Sequence, residues 1–339
     1  MSEQQDMMPN ALKPTAETKA DVIGEADTAD IPDIIEVPDT ADFHGTTDMP
    51  NTADIASKPD TDNMLDEKII SLTISYKGSA FHGFARQPKQ TTVQGELEKA
   101  LKIIFRHDIE TVGAGRTDTG VHALGQVVSF ALTTTQYQQR FAQCHEFSGF
   151  QAKRFTHSGL LKLASSLNAI TPDEIVVCEA HLRPPGFSAR FSAKEREYRY
   201  RICTSSTAPL FLSDFAWWLR SDKPLDIIAM REACTYLLGE KDFRSFCVAK
   251  SAKEISTMRN INQAFVFCTQ HLGERCTVVQ IKGNAFLHSM VRVIVGSLVE
   301  VGLRQKNPDW INQILLAKDR RAAGCTAPAH GLTLWKVKY

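Results

Sequence analysis

From about Leu65 onward, apolar and polar positions recur along the chain in runs that predict a series of short elements. Ile69 to Tyr76 (IISLTISY) is apolar and β-branched and predicts a strand, with Gly78-Ser79 as the turn after it. Thr91 and Gln94 have capping-box spacing, and Val93, Leu97, Ala100, Leu101 and Ile104 follow at helical intervals. Gln126 to Leu132 reads as a strand, Ser158 to Asn168 as a helix and Glu174 to Glu179 as a strand. Thr133 to His157 is polar and irregular, and is expected to be an inserted loop.

The second half repeats this grammar. Arg196 to Cys203 predicts a strand, and Asp226 to Leu238 a helix closed by Gly239 as its C-cap. Ile261 to Thr269 and Cys276 to Gly283 predict two strands paired across the turn at 271–275. Leu287, Met290, Val291, Ile294, Val295 and Leu298 mark a strong helix, and Pro308 opens another that runs to about Lys318. The turn-rich Gly324 to Leu334 leads into a final strand. Both halves run strand, helix, strand, so the expected class is α+β with a mainly antiparallel sheet and two pseudo-repeated halves.

Charge changes the picture. Lys+Arg and Asp+Glu both number 39, so the formal net charge is zero. Residues 1–65, however, carry 15 acidic and three basic side chains, and the remainder carries a net charge of +12. With Phe43 as its only aromatic residue, that leader cannot offset its ordering entropy and is expected to be disordered. Its Thr-Ala-Asp triplets at 28, 40 and 52 read as low complexity rather than a solenoid. The boundaries expected are a leader over 1–65, a first half over 66–182 carrying the Asp loop, and a second half over 183–339. A basic body on an acidic leader points to a polyanionic partner.

Several classes drop out. No apolar run reaches the roughly 18 residues of a membrane span. MSEQQDMMPN is neither a signal nor a transit peptide, which implies a cytoplasmic protein. The eight cysteines are scattered without a C-x-x-C pair, and are expected to be buried reduced thiols rather than disulfides or zinc ligands. No Walker loop, Rossmann fingerprint or metal-ligand spacing is present, so neither cofactor nor metal is expected.

Three stretches carry candidate chemistry. Gly113 to Gly125 (GAGRTDTGVHALG) has four glycines around Arg116, Asp118 and His122. Such a loop can hold Asp118 rigid at a cleft, with Arg116 keeping it ionised; an ordinary Asx-turn is the equal alternative. Asp118-Thr119-Gly120 is also the D-T-G tripeptide of aspartic proteases, but a single copy requires a symmetric dimer and a nearby Arg opposes the shared proton. Arg183 to Arg201 holds six basic and two acidic residues among Phe187, Phe191, Tyr198 and Tyr200. Its cations suit phosphate and its rings suit unpaired bases, while a solvated edge strand is the bland reading. In Ile281 to Gly302, Arg292 lies on the flank of an apolar stripe, one turn from His288, and a buried Arg there needs an anion, for which Asp118 is a candidate.

Taken together, these segments resemble the tRNA pseudouridine synthase A family over about Ile69 to Tyr339. YKGSAFHGF at 76–84, Thr92-Val93-Gln94, GRTDTGVH at 115–122, ARFSAKEREYRYRI, GEKDFRSF and GNAFLHSMVR match its signatures in order. The resemblance implies the pseudouridine synthase fold, with two ferredoxin-like halves around a mainly antiparallel sheet. It implies a homodimer that isomerises uridines 38, 39 and 40 of the tRNA anticodon stem-loop without cofactor or metal. Asp118 maps onto the essential aspartate, which adds to the base or sugar or deprotonates the sugar. Arg292 maps onto its arginine partner, Tyr198 onto the tyrosine packed against the target uracil, and Arg116 onto the arginine that helps the nucleotide flip. Thr119 replaces a common Ala, and Ser289 stands where a second His is frequent. A tRNA-binding protein that has lost catalysis is the competing class.

Overall fold

β1 (Glu67–Tyr76) sends Ile70, Leu72 and Ile74 into the core at full burial, as strand alternation requires. The structure, a computed structural model, describes residues 67–141, 150–221, 223–248 and 256–339. The expected acidic leader lies outside the described residues. The described residues form one compact unit.

α1 (Val93–Phe105) buries Val93, Leu97, Ala100 and Leu101. Its N-cap is Thr92, one residue later than the expected box, and the Thr92 hydroxyl accepts from the Gly95 amide at 3.2 Å. Gln94 is therefore released from capping. Its side chain accepts from Arg86 N and donates to Thr111 O, at 3.1 and 2.8 Å. β2 (Val112–Gly113) and β3 (His122–Thr133) follow.

The inserted loop expected over Thr133–His157 is mostly helical where described: α2 is Thr134–Phe141 and α3 is Phe150–Asn168. Residues 142–149 lie outside the described residues. In α2 only Tyr137 and Phe141 are apolar, one turn apart, and both are buried with ring centroids 4.7 Å apart. Phe141 packs flat on Gly159 of α3, where a Cβ would meet its ring at 2.5 Å. Two aromatic anchors thus dock a helix whose remaining residues are polar.

β4 (Ile175–Arg183), β5 (Glu195–Ser205) and β6 (Trp217–Arg220) come next. α4 (Ile227–Thr235) is capped by Asp226, but ends before the expected Leu238. Gly239, at φ +86°, opens β7 (Gly239–Asp242) instead of closing the helix, because it pairs with Ile261. β8 (Met258–His271) and β9 (Glu274–Gly283) form the expected hairpin. α5 (Met290–Gly302), α6 (Trp310–Ala317) and β10 (Leu332–Lys338) complete the chain's described elements.

The ten strands form one sheet in the order β4-β1-β3-β10-β5-β9-β8-β7, with β2 beside β3 and β6 beside β5. All pairs are antiparallel except β3·β10 and β5·β6. The fold is thus α+β. The orders β4-β1-β3-β2 and β10-β5-β9-β8 are the same ferredoxin-like pattern, and the two halves meet at β3·β10 through Thr333↔His122 and Leu334↔Ala123. That seam lies at the start of β3, next to the segment carrying Asp118.

The described cysteines are free, with Cys203, Cys234, Cys247 and Cys276 buried. Cys178, Cys268 and Cys325 are exposed, against the expectation of burial. No described helix is long and apolar enough to cross a membrane.

Candidate active site

The segment between β2 and β3 places Asp118, and its backbone is held at nearly every residue. Ala114 O accepts from Arg196, Gly115 O from Gln126 Nε2 at 2.7 Å, Thr117 O from Phe84 N at 3.1 Å and Asp118 O from Val121 N at 3.1 Å. The Thr117 hydroxyl pairs with Tyr76 OH at 2.8 Å in the core. Gly78 N donates to His122 Nδ1 at 3.1 Å, and a Cβ at Gly78 would fall 1.9 Å from Val121 O. Gly120, at φ +81°, makes the turn that lifts Asp118 out of the sheet. Satisfied buried backbone of this kind makes the loop rigid.

Asp118 meets the start of α5. Its Oδ2 accepts from Arg292 Nη1 at 2.9 Å and from Ser289 Oγ at 2.8 Å. Its Oδ1 faces His288 Nε2 at 3.3 Å. The Asp118 and Arg292 side chains are 21% and 18% exposed, so the pair is shielded but open on one side. Arg292 is itself fixed, since its Nε donates to Ala327 O at 2.8 Å. The pairing inferred from the flank position of Arg292 is present.

Arg116 is exposed and makes no ion pair or hydrogen bond among the described residues. It does not pair with Asp118, as expected of it; Arg292 is the cation that does. Tyr198, on β5, is buried, with its ring edge-on to Phe286 at 5.1 Å and its hydroxyl without a partner among the described residues. Burial first, then the nearby Tyr76 and Asp118, push its pKa up, so it is a neutral phenol. Its hydroxyl lies by Gly115, within 3.7 Å of where a Cβ would stand. Asp118, Arg292 and Tyr198 are therefore brought together, with Arg116 on the same loop as Asp118.

The Arg183–Arg201 stripe departs from the expected phosphate-binding face. Arg196, 9% exposed, has no carboxylate partner among the described residues and donates instead to the carbonyls of Ala114, Arg190, Ala193 and Asn284. Arg199 pairs with Glu197 at 2.7 Å and lies 3.9 Å from the Trp335 ring, with Arg201 at 5.6 Å from the same ring. Arg183 donates to Ser71 Oγ at 2.8 Å and lies over Phe187. These cations are consumed by the fold. Arg190 and Phe191 remain outside, Phe191 being 81% exposed with the guanidinium 5.4 Å from its ring.

The sequence reading left Asp118 without its other contacts. His288 carried a usable signal, four residues before Arg292 and so on the same side of a helix start. The roles of Tyr76, Gln126 and Arg196 had none, since each depends on strands brought together from far apart.

The sequence profile of a family described as tRNA pseudouridine synthase matches residues 72–146 and 233–339. A protein named tRNA pseudouridine synthase A from Brevibacillus brevis is 39% identical over 272 residues, spanning 80% of this chain and 100% of that protein. Proteins of the same name from Halalkalibacterium halodurans and Bacillus subtilis are 40% and 38% identical. They span 78% and 80% of this chain and 90% and 98% of their own lengths. Each match leaves about a fifth of this chain uncovered.

Proposed function

The chain belongs to the tRNA pseudouridine synthase family, and from that premise we propose that it isomerises uridines 38, 39 and 40 of the tRNA anticodon stem-loop to pseudouridine. We propose equally that it does so as a cytoplasmic homodimer needing no cofactor or metal. The C1′–N1 bond of the target breaks, the uracil turns over, and C1′ bonds to C5. The proton leaves C5 and N1 takes one up, so the reaction balances without an outside reactant.

The observation that carries this reading is the Asp118 carboxylate, held by Arg292 on one oxygen and facing the half-exposed His288 on the other. Arg292 pairs with it while the surrounding packing leaves the side chain only 21% exposed. Tyr198 offers the displaced base a ring face and a neutral hydroxyl. Extruding a base from a stem costs a few kcal/mol, and we infer that Arg116, on the same loop, fills the space it leaves. The net charge of +12 on residues 66–339 favours a polyanion the size of tRNA.

The protease alternative is overturned. Asp118 pairs with an arginine and accepts from a serine, and an arginine partner opposes the shared proton that a protease dyad needs. A catalytically silent binding protein would have no use for a carboxylate held this way. The test uses tRNA tritiated at uridine C5. The native protein should release the label and Asp118→Asn should not. Binding without release by the native protein would leave only a binding function.

A further inference from the structure

Ser289 occupies an unusual position for a serine. It precedes α5 at φ +59° and ψ 8°, a left-handed conformation that residues other than glycine and asparagine rarely adopt. A serine at a helix start ordinarily caps a free amide, yet this hydroxyl makes no cap bond. It reaches across to the other half of the sheet and donates to Asp118 Oδ2 at 2.8 Å.

The same oxygen already receives Arg292 Nη1 at 2.9 Å. Arginine and carboxylate commonly meet as a fork, two nitrogens on two oxygens. Here the pair meets through Nη1 on Oδ2, while Arg292 Nε is spent on the Ala327 carbonyl at 2.8 Å. With Ser289 as a second donor on Oδ2, the carboxylate cannot turn without losing two bonds. Oδ1 takes no part in those two bonds and faces the half-exposed His288 ring at 3.3 Å.

We infer that Ser289 is a positioning residue: with Arg292 it fixes Asp118 Oδ2 and thereby assigns Oδ1 as the oxygen that meets the target nucleotide. This rests on the isomerase reading above. The left-handed backbone at 289 is what aims the hydroxyl away from the helix and into the cleft.

Two substitutions separate the hydroxyl from the backbone. Ser289→Gly suits the positive φ and removes the donor, whereas Ser289→Asn tolerates the same φ and keeps one. In the tritium-release assay, Ser289→Gly should lower kcat by about 10- to 100-fold, the size of a lost bond to a charged group. KM for tRNA should stay within about twofold and the melting temperature should not fall. Ser289→Asn should recover most of kcat. Crystal structures add a readout independent of turnover: one carboxylate orientation in the native protein, more than one in Ser289→Gly. A native kcat in Ser289→Gly, a loss confined to KM, a loss that Ser289→Asn does not recover, or a single unchanged carboxylate orientation in Ser289→Gly each overturns the inference. A native protein that releases no tritium fails the isomerase reading instead, and the carboxylate orientations still decide the role of Ser289.

Discussion

Gly113–Gly125 and Arg183–Arg201 are both dense in charge, and the fold uses them in opposite ways. The first buries much of itself, Thr117 and His122 included, yet leaves Asp118 partly exposed and Arg116 free. The second turns its cations in. Arg196 satisfies four carbonyls from three segments, among them Ala114 at the root of the Asp loop. The difference arises from backbone hydrogen bonding. Loops meeting above a sheet bring carbonyls without amide partners, and a guanidinium with five donors can serve several at once. On the proposed function, the aspartate loop supplies the chemistry while the arginine stripe builds the frame.

That contrast predicts where activity and stability part. Asp118→Asn should cut turnover by at least about 10⁴-fold with little change in the denaturant midpoint. Substantial residual turnover would move the chemistry elsewhere. Arg196→Met should do the reverse, costing roughly 3–5 kcal/mol in urea unfolding, because buried carbonyls lose their donors. A change below about 1 kcal/mol would mean that the stripe is not structural. Arg116→Ala should leave stability within about 0.5 kcal/mol. It should raise KM for tRNA about tenfold and make affinity less steep in salt by about one unit of log–log slope; salt-independent binding would contradict it.

The smallest effect concerns His122, in the loop but buried like the stripe. Burial pulls its pKa below the ordinary value. The unfolded chain then takes up a proton near pH 6.5 while the folded one does not. Stability should therefore fall as pH drops below about 6.5, by up to about 1.4 kcal/mol per unit until the folded pKa is reached. Unfolding curves at pH 7.5 and 5.5 should show this in the native protein and less of it in His122→Asn; equal pH dependence in both would refute it.

What could be read from sequence follows the same division. β1, β5, the β8–β9 hairpin and α5 are legible because periodic apolar residues decide them locally. α2 is not, because two buried aromatics in a polar stretch give too little periodicity. The end of α4 is not, because strand pairing at Gly239 overrides the helix. Asp118 and Arg292 were recognisable as partners from a buried cation that needs an anion. The inward turn of Arg196 was not, since alternation places it on a face without saying which carbonyls await it there. Arg116 and Arg292 were given overlapping tasks by sequence distance, and only the fold separates them.

β10 is the last described element in chain order, yet it fills the middle of the sheet, between β3 and β5. On the ribosome, both half-sheets can therefore form while each still presents a raw edge to the crowded cell, and such edges invite pairing with strangers. The gap closes only when the strand holding Thr333 and Leu334 emerges. Until then Asp118 and Arg292 belong to two unjoined pieces. A nascent chain stalled before that strand would be a client for chaperones rather than an enzyme.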